Sequence, residues 1–371
     1  MADDERQPIG PRGGVDEDEP VRLAPDLPPQ IAAPLAPFRG AEPPSPPWFK
    51  NALDHAPERR RVKVEGAGIE LLTWGEVGLP GLIFVHGNSA HADWWSFICP
   101  FFAAEHRVAS ISFSGMGGSD WRETYGYETF AWEIFACGQA AGLYEADVPP
   151  IYVGHSFGGS QVFYSAARHP ERMRAAVLVD TGFGGPPTAE QMEAWRKAEE
   201  AAGRPVPQGA MGGGWRGPQH RSRPNRIYPS LETALARFRF MPPQVPGNLF
   251  IADFIARRSL KRAPMPQGEV AADGGGEGWT WRFDPAFWEK LDRSGMTEAG
   301  AARAPLAHIF GDRSEIIRRH SQPLGGFGGG PSLFAPGTPT IIIPDSEHHI
   351  MVDQPLALVA ALRALIAAWK P

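Results

Sequence analysis

Short apolar runs separated by stretches of helical spacing set the plan of this chain. Leu82-Ile83-Phe84-Val85, Val108-Ala109-Ser110-Ile111-Ser112-Phe113, Ile151-Tyr152-Val153 and Ala176-Val177-Leu178-Val179 come first, and Leu306-Ala307-His308-Ile309-Phe310 and Thr340-Ile341-Ile342-Ile343 follow much later. Continuous apolar runs suit strands covered on both faces, as in a parallel sheet. Phe130, Ile134, Cys137 and Ala141 recur at helical spacing, as do Leu358, Val359, Leu362, Leu365, Ile366 and Trp369 near the C-terminus. Upstream, Arg61-Val62-Lys63-Val64-Glu65 alternates, turns at Gly66-Ala67-Gly68 and resumes through Ile69-Glu70-Leu71-Leu72-Thr73-Trp74, which predicts an antiparallel hairpin. The pattern predicts an α/β fold: a mostly parallel, doubly wound sheet with right-handed crossovers.

The interval between Val179 and Leu306 is too long for one crossover loop. It holds aromatic clusters and two glycine-rich breaks, Met211-Gly212-Gly213-Gly214 and Gly274-Gly275-Gly276. Residues 182–300 are therefore expected to form a mostly helical cap inserted into a core made of 49–181 and 301–371. Residues 1–48, rich in proline and acidic side chains, are expected to be a mobile or surface-wrapping extension. A glycine-rich stretch at 325–331 lies where a helix would be usual.

Composition narrows the classes. Of 371 residues, 42% are hydrophobic and 21% charged, enough for a sizeable core, and a net charge of -6 gives no footing for nucleic acid. Two cysteines make no disulfide framework, the first residues lack the apolar stretch of a secretory signal, and no apolar run spans a bilayer. A cytoplasmic protein that acts on a small molecule and water, without membrane, cofactor or metal, is expected; nothing in the sequence speaks to oligomeric state.

The chemistry centres on Gly154-His155-Ser156-Phe157-Gly158, a serine between a strand-like run and a helical stretch. That is the layout of a nucleophile elbow, where the turn is so tight that residues two before and two after the serine must be small. A serine hydroxyl needs an adjacent base. His348 and His349 follow the last strand-like run, on the same rim as the elbow. An acid should orient the base; Asp312 and Glu315 in the loop after Phe310, and more remotely Asp180 after Val179, are the candidates. The Phe157 and Asn88 amides are the expected oxyanion donors, with Gly87 turning the loop after Val85. His86 is read as a buried histidine fixing that loop. Trp94, Phe250, Phe254 and Trp281 are candidates for the wall of a substrate pocket.

Phe84-Val85-His86-Gly87-Asn88, Ser114-Gly115-Met116-Gly117-Gly118-Ser119-Asp120, Gly154-His155-Ser156-Phe157-Gly158-Gly159 and His169-Pro170-Glu171-Arg172 together resemble a cap-bearing α/β-hydrolase of the epoxide hydrolase-like, or alpha/beta hydrolase-1, group. The resemblance covers about residues 59–182 and 300–371, and Trp281-Arg282-Phe283-Asp284-Pro285 resembles that family's return from cap to sheet. Family spacing from Asp353 and Pro355 selects His348 over His349. The family's commonest acid position falls on Ser314; since some relatives carry a serine followed by an acid, the resemblance favours Glu315, with Asp312 second. A serine at the elbow disfavours the aspartate-dependent epoxide hydrolases and haloalkane dehalogenases. It leaves a serine hydrolase of a carboxylic ester, thioester or lactone with an apolar or aromatic group. The alternatives are hydrolysis of a carbon–carbon bond next to a carbonyl and a non-catalytic ligand receptor on a hydrolase scaffold.

Overall fold

The computed structural model describes residues 27–182, 197, 222–295, 301–316 and 337–369. Its centre is an eight-stranded sheet. The strands are β1 (Glu58–Val64), β2 (Ala67–Trp74), β3 (Gly81–Val85), β4 (Arg107–Ser112), β5 (Ile151–His155), β6 (Ala175–Val179), β9 (Leu306–Gly311) and β10 (Thr340–Ile343), in the order β1-β2-β4-β3-β5-β6-β9-β10. β1 and β2 pair antiparallel through a turn in which Glu65 and Gly66 both take positive φ, 45° and 86°. β2 is antiparallel to β4, and every pairing from β4 to β10 is parallel.

The apolar runs are buried on both faces because the sheet divides the core in two. Leu82, Phe84, Ile151, Val153, Ala175 and Val177 enter one cluster, while Ile83, Val85, Tyr152, Ala176 and Leu178 enter the other. This is the two-residue period of the strand. Helices Tyr127–Ala140 and Phe157–Arg168 cover the second face through Phe130, Ile134, Cys137, Val162 and Ala166. Helix Pro355–Ala368 covers the first through Leu358, Val359, Leu362, Leu365 and Ile366. Each fully buried Val, Leu, Ile or Phe among them contributes about 1.5–3 kcal/mol.

Between β6 and β9, the described residues 222–295 include helices Leu231–Leu235, Leu249–Arg258 and Phe287–Lys290. Beside them stands a two-stranded ribbon of β7 (Leu260–Pro264) and β8 (Glu277–Trp281), which a mostly helical reading did not anticipate. Alternation is present in β8, where Gly278 and Thr280 are buried and Trp279 and Trp281 half-buried. The glycine-rich segments at 211–214 and 325–331 lie outside the described residues. No helix among the described residues is long and apolar enough to cross a membrane.

From residue 27 the extension packs against the molecule. Leu35 is buried, and helix Pro47–Asp54 straddles the expected boundary at 48. Phe49 meets Phe97 of the sheet domain at 5.7 Å and Phe250 and Phe254 of helix Leu249–Arg258 at 4.9 and 5.8 Å. The Arg257 guanidinium donates to the Gly40 carbonyl at 2.7 Å. Isolated anchors such as Leu35, Trp48 and Phe49 give a proline-rich segment enough apolar surface to dock.

Candidate functional site

Ser156 joins β5 to helix Phe157–Arg168 with φ 52° and ψ -119°, a strained backbone for a side chain with a Cβ. Sterics enforce the glycines around it. A Cβ on Gly154 would lie 2.6 Å from the Gly158 carbonyl oxygen, and one on Gly158 would lie 2.3 Å from that of His86. The turn holds Ser156 half-buried at the carboxyl end of the parallel strands.

Three loops converge there. His348, between β10 and helix Ile350–Asp353, places Nε2 2.9 Å from Ser156 Oγ. Its Nδ1 lies 2.6 Å from Asp180 Oδ2. Asp180 follows β6 with φ 43° and is wholly buried. With Nδ1–H donating to the carboxylate, Nε2 offers a lone pair to the serine hydroxyl.

The carboxylate bonded to His348 is therefore Asp180, and not Glu315 or Asp312 to which the resemblance pointed. Glu315 and Asp312 are both exposed, and Asp312 accepts from the Ser346 N–H at 3.1 Å. The reason is topological: β6 lies between β5 and β9 in the sheet, so the end of β6 is closer to the elbow than the end of β9. The signal for Asp180 was its place directly after an apolar run on the strand next to the elbow strand.

The loop after β3 abuts the elbow, since a Cβ on Gly87 would stand 3.3 Å from Ser156 Cβ. Asn88 follows on this loop. Phe157, the first residue of its helix, has an N–H with no acceptor one turn back. His86 Nε2 accepts from the Phe113 N–H at 3.0 Å, so its Nδ1–H donates to the Gly87 carbonyl at 2.7 Å. Burial drives its pKa down to about 3, and the neutral ring pins the loop.

His349 and His155 are also held well below their usual pKa, by burial first and by the neighbouring His348 second. His155 Nε2–H donates to the His348 carbonyl at 3.0 Å. Gln244, from the inserted segment, accepts through Oε1 from the His349 N–H at 2.9 Å and from its Nδ1–H at 2.6 Å. Through Nε2 the same side chain donates to Asp353 at 2.9 Å. Sequence reading did not single out Gln244; a lone glutamine in a loop-rich insert carries no pattern.

Asp353 also accepts from the Glu347 and Gly247 N–H groups at 2.9 and 3.0 Å. Burial outweighs these donors and raises its pKa to about 6. A carboxyl raised on folding favours the folded state while protonated, so its contribution is lost as pH climbs from about 4 through about 6. Urea unfolding across that window should show wild-type stability falling more steeply with pH than Asp353→Asn; parallel curves would contradict the assignment.

The expected pocket residues separate. Trp94 packs on His155, His349 and Phe240, with ring centroids 6.5, 5.4 and 5.7 Å away, beside the histidine loop. Phe250 and Phe254 instead serve the contact with the extension. They line a cavity of about 740 Å³ with Phe49, Lys50, Asp93 and Arg258, and neither Ser156, Asp180 nor His348 reaches it. Trp281 packs on Tyr228 and Phe238 at 6.1 and 6.2 Å, within the inserted segment. These aromatic side chains of the insert join the same apolar cluster as Phe84, Trp95 and Phe97 of the sheet domain.

A family model described as alpha/beta hydrolase fold matches residues 80–207. The 2-hydroxymuconate semialdehyde hydrolase of Pseudomonas sp. (strain CF600) is 32% identical over 151 residues, 39% of this chain and 51% of that protein. The bifunctional esterase/perhydrolase DCH of Acinetobacter calcoaceticus is 31% identical over 119 residues, 31% of this chain and 41% of that protein. The chain thus spans about half the length, or less, of these curated relatives. Among solved structures, a thioesterase domain from the curacin biosynthetic pathway aligns with a TM-score of 0.57 at 18% identity, covering 83% of this chain and 99% of that one. E-2-(acetamidomethylene)succinate hydrolase aligns with a TM-score of 0.57 at 17% identity, covering 84% and 99%. At these identities the likeness is one of fold.

Proposed function

We propose that this chain is a member of the α/β-hydrolase superfamily and, within it, a serine hydrolase that cleaves a carboxylic ester, thioester or lactone through an acyl-enzyme. One observation carries the reading: Ser156 Oγ, His348 and Asp180 form an unbroken hydrogen-bonded chain, with contacts of 2.9 and 2.6 Å, at the mouth of the elbow.

In this mechanism His348 Nε2 takes the hydroxyl proton as Ser156 Oγ attacks the carbonyl carbon. The oxygen that gains charge is held by the Phe157 and Asn88 amides. Imidazolium at His348 is stabilised by Asp180 and returns its proton to the leaving alcohol, thiol or hydroxyl. Water, deprotonated by His348, then attacks the acyl-enzyme and releases the acid with Ser156 restored. His155 and His349, held neutral by burial, stay outside this proton traffic.

A second reading has specific support: the Pseudomonas relative is named as a 2-hydroxymuconate semialdehyde hydrolase. The same serine, base and acid would then cleave a carbon–carbon bond beside a carbonyl. A screen of aryl and alkyl esters, thioesters, lactones and vinylogous diketones should find the highest kcat/KM among the esters. A diketone cleaved faster than any ester would decide for the second reading. Tight ligand binding without turnover of any member would decide against both.

A further inference from the structure

Asp180 is gripped from the neighbouring strand. Ser314, three residues beyond Gly311 and 1% exposed, donates its hydroxyl to Asp180 Oδ2 at 2.6 Å, the same oxygen that accepts from His348. The Ser314 hydroxyl is itself fixed, because its Oγ accepts from the Ile316 N–H at 3.1 Å. The Gly311 N–H reaches Asp180 Oδ1 at 3.4 Å, and the Asp180 N–H donates to the Ile309 carbonyl at 2.7 Å. The end of β9 thus supplies a main-chain donor, a main-chain acceptor and one side-chain donor to a residue whose backbone is left-handed.

We propose that Ser314 is a positioning residue for the triad carboxylate: its hydroxyl fixes Asp180 Oδ2 and shares the negative charge that faces His348. The inference rests on the serine-hydrolase reading above and deepens it. A carboxylate oxygen has lone pairs for both donors, but each donor draws on one charge. Loss of the hydroxyl frees the carboxylate to rotate and leaves more charge on the oxygen facing Nδ1. The first effect lowers kcat. The second stabilises the imidazolium and moves the acidic limb of the kcat/KM profile to higher pH.

Other groups around His348 are His155 and His349, with ring centroids 4.8 and 4.9 Å away, Glu347 beside it in the chain, and Asp353 below the Glu347 N–H. On the Ser314 loop, Asp312 and Glu315 are exposed and Arg313 pairs with Asp345. The Ser314 hydroxyl donates to Asp180 and its Oγ accepts from the Ile316 N–H, so Ser314→Ala should act on His348 through Asp180.

The test is a double-mutant cycle of Ser314→Ala and Asp180→Asn on the full chain, using the best substrate from the screen. Rates are expressed per active site titrated with a fluorophosphonate and corrected for folded fraction by circular dichroism; the Asp180→Asn pair, if too slow to label fully, is scaled by folded protein. Ser314→Ala should lower kcat about tenfold with KM within about twofold, and raise the acidic-limb midpoint by about half a pH unit. In the Asp180→Asn background the same substitution should cost about twofold or less. An equal loss in both backgrounds, or an unmoved pH midpoint, would show a merely structural serine and overturn the proposal. If Asp180→Asn alone keeps wild-type rates, the triad reading fails, and Ser314 loses its role with it.

Discussion

Ser156→Ala will abolish turnover of the substrates that the wild type hydrolyses, with kcat falling by about 10⁵-fold or more. The magnitude follows from what the hydroxyl does. In the proposed mechanism it is the atom that bonds to the acyl carbon, so its loss closes the two-step path and leaves only direct attack by water. His348 Nε2 also loses its 2.9 Å partner, so base and nucleophile disappear as one unit. Folding should survive: alanine has the same Cβ, and the main-chain bond from the Ser156 N–H to the Val179 carbonyl at 3.0 Å is untouched. Near-UV circular dichroism and thermal melting should match the wild type. Intact-protein mass after fluorophosphonate treatment should show one adduct on the wild type and none on the variant. Retained esterase activity, or a surviving adduct, would remove Ser156 from the mechanism.

What could be read from the sequence divides along a physical line. The elbow was legible because its backbone demands small residues at fixed offsets, and a Cβ at Gly154 or Gly158 would collide with main chain. The strands were legible because residues buried on both faces must be apolar without interruption. The acid was not, because a carboxylate's place on the sheet rim depends on strand order and register. Val179 lies beside His155 on one side and Ile309 on the other, and no local pattern around Asp180 records that. The inserted segment was legible as aromatic, yet the partners of each ring depend on tertiary contacts: Phe250 turned to Phe49 and the extension, while Phe240 turned to His349 and Trp94. Averaged composition likewise hid the few apolar anchors of residues 27–54.

Those contacts also set one histidine apart from the other three near the site. His86 is locked between the Phe113 N–H and the Gly87 carbonyl, His155 donates to the His348 carbonyl, and His349 donates to Gln244. Each is kept neutral by burial. His348, by contrast, has a carboxylate on one nitrogen and the serine hydroxyl on the other. The inserted segment reaches this loop through Gln244, which bonds to His349 and to Asp353, the carboxylate that accepts from the Glu347 N–H.

Asp180→Asn should lower kcat by about 10³–10⁴-fold, about 4–5.5 kcal/mol of transition-state stabilisation, with KM changed little. The asparagine fits the same volume and can still meet Ser314 and the Gly311 N–H, so the site keeps its shape. Its amide, however, can present N–H to His348 Nδ1, which then serves as the acceptor. The proton moves to Nε2, where it points at Ser156 Oγ and leaves no lone pair to receive the hydroxyl proton. The charge that would steady the imidazolium is lost as well. Glu315→Gln and Asp312→Asn are the matched controls, since both side chains are exposed and the two ring nitrogens of His348 face Asp180 and Ser156; each should stay within about twofold of wild type. Steady-state kinetics of the three variants on one ester separate the possibilities. A loss near 10³-fold in Glu315→Gln with a mild effect in Asp180→Asn would return the acid to the loop after β9 and require the β6 end to serve structure alone.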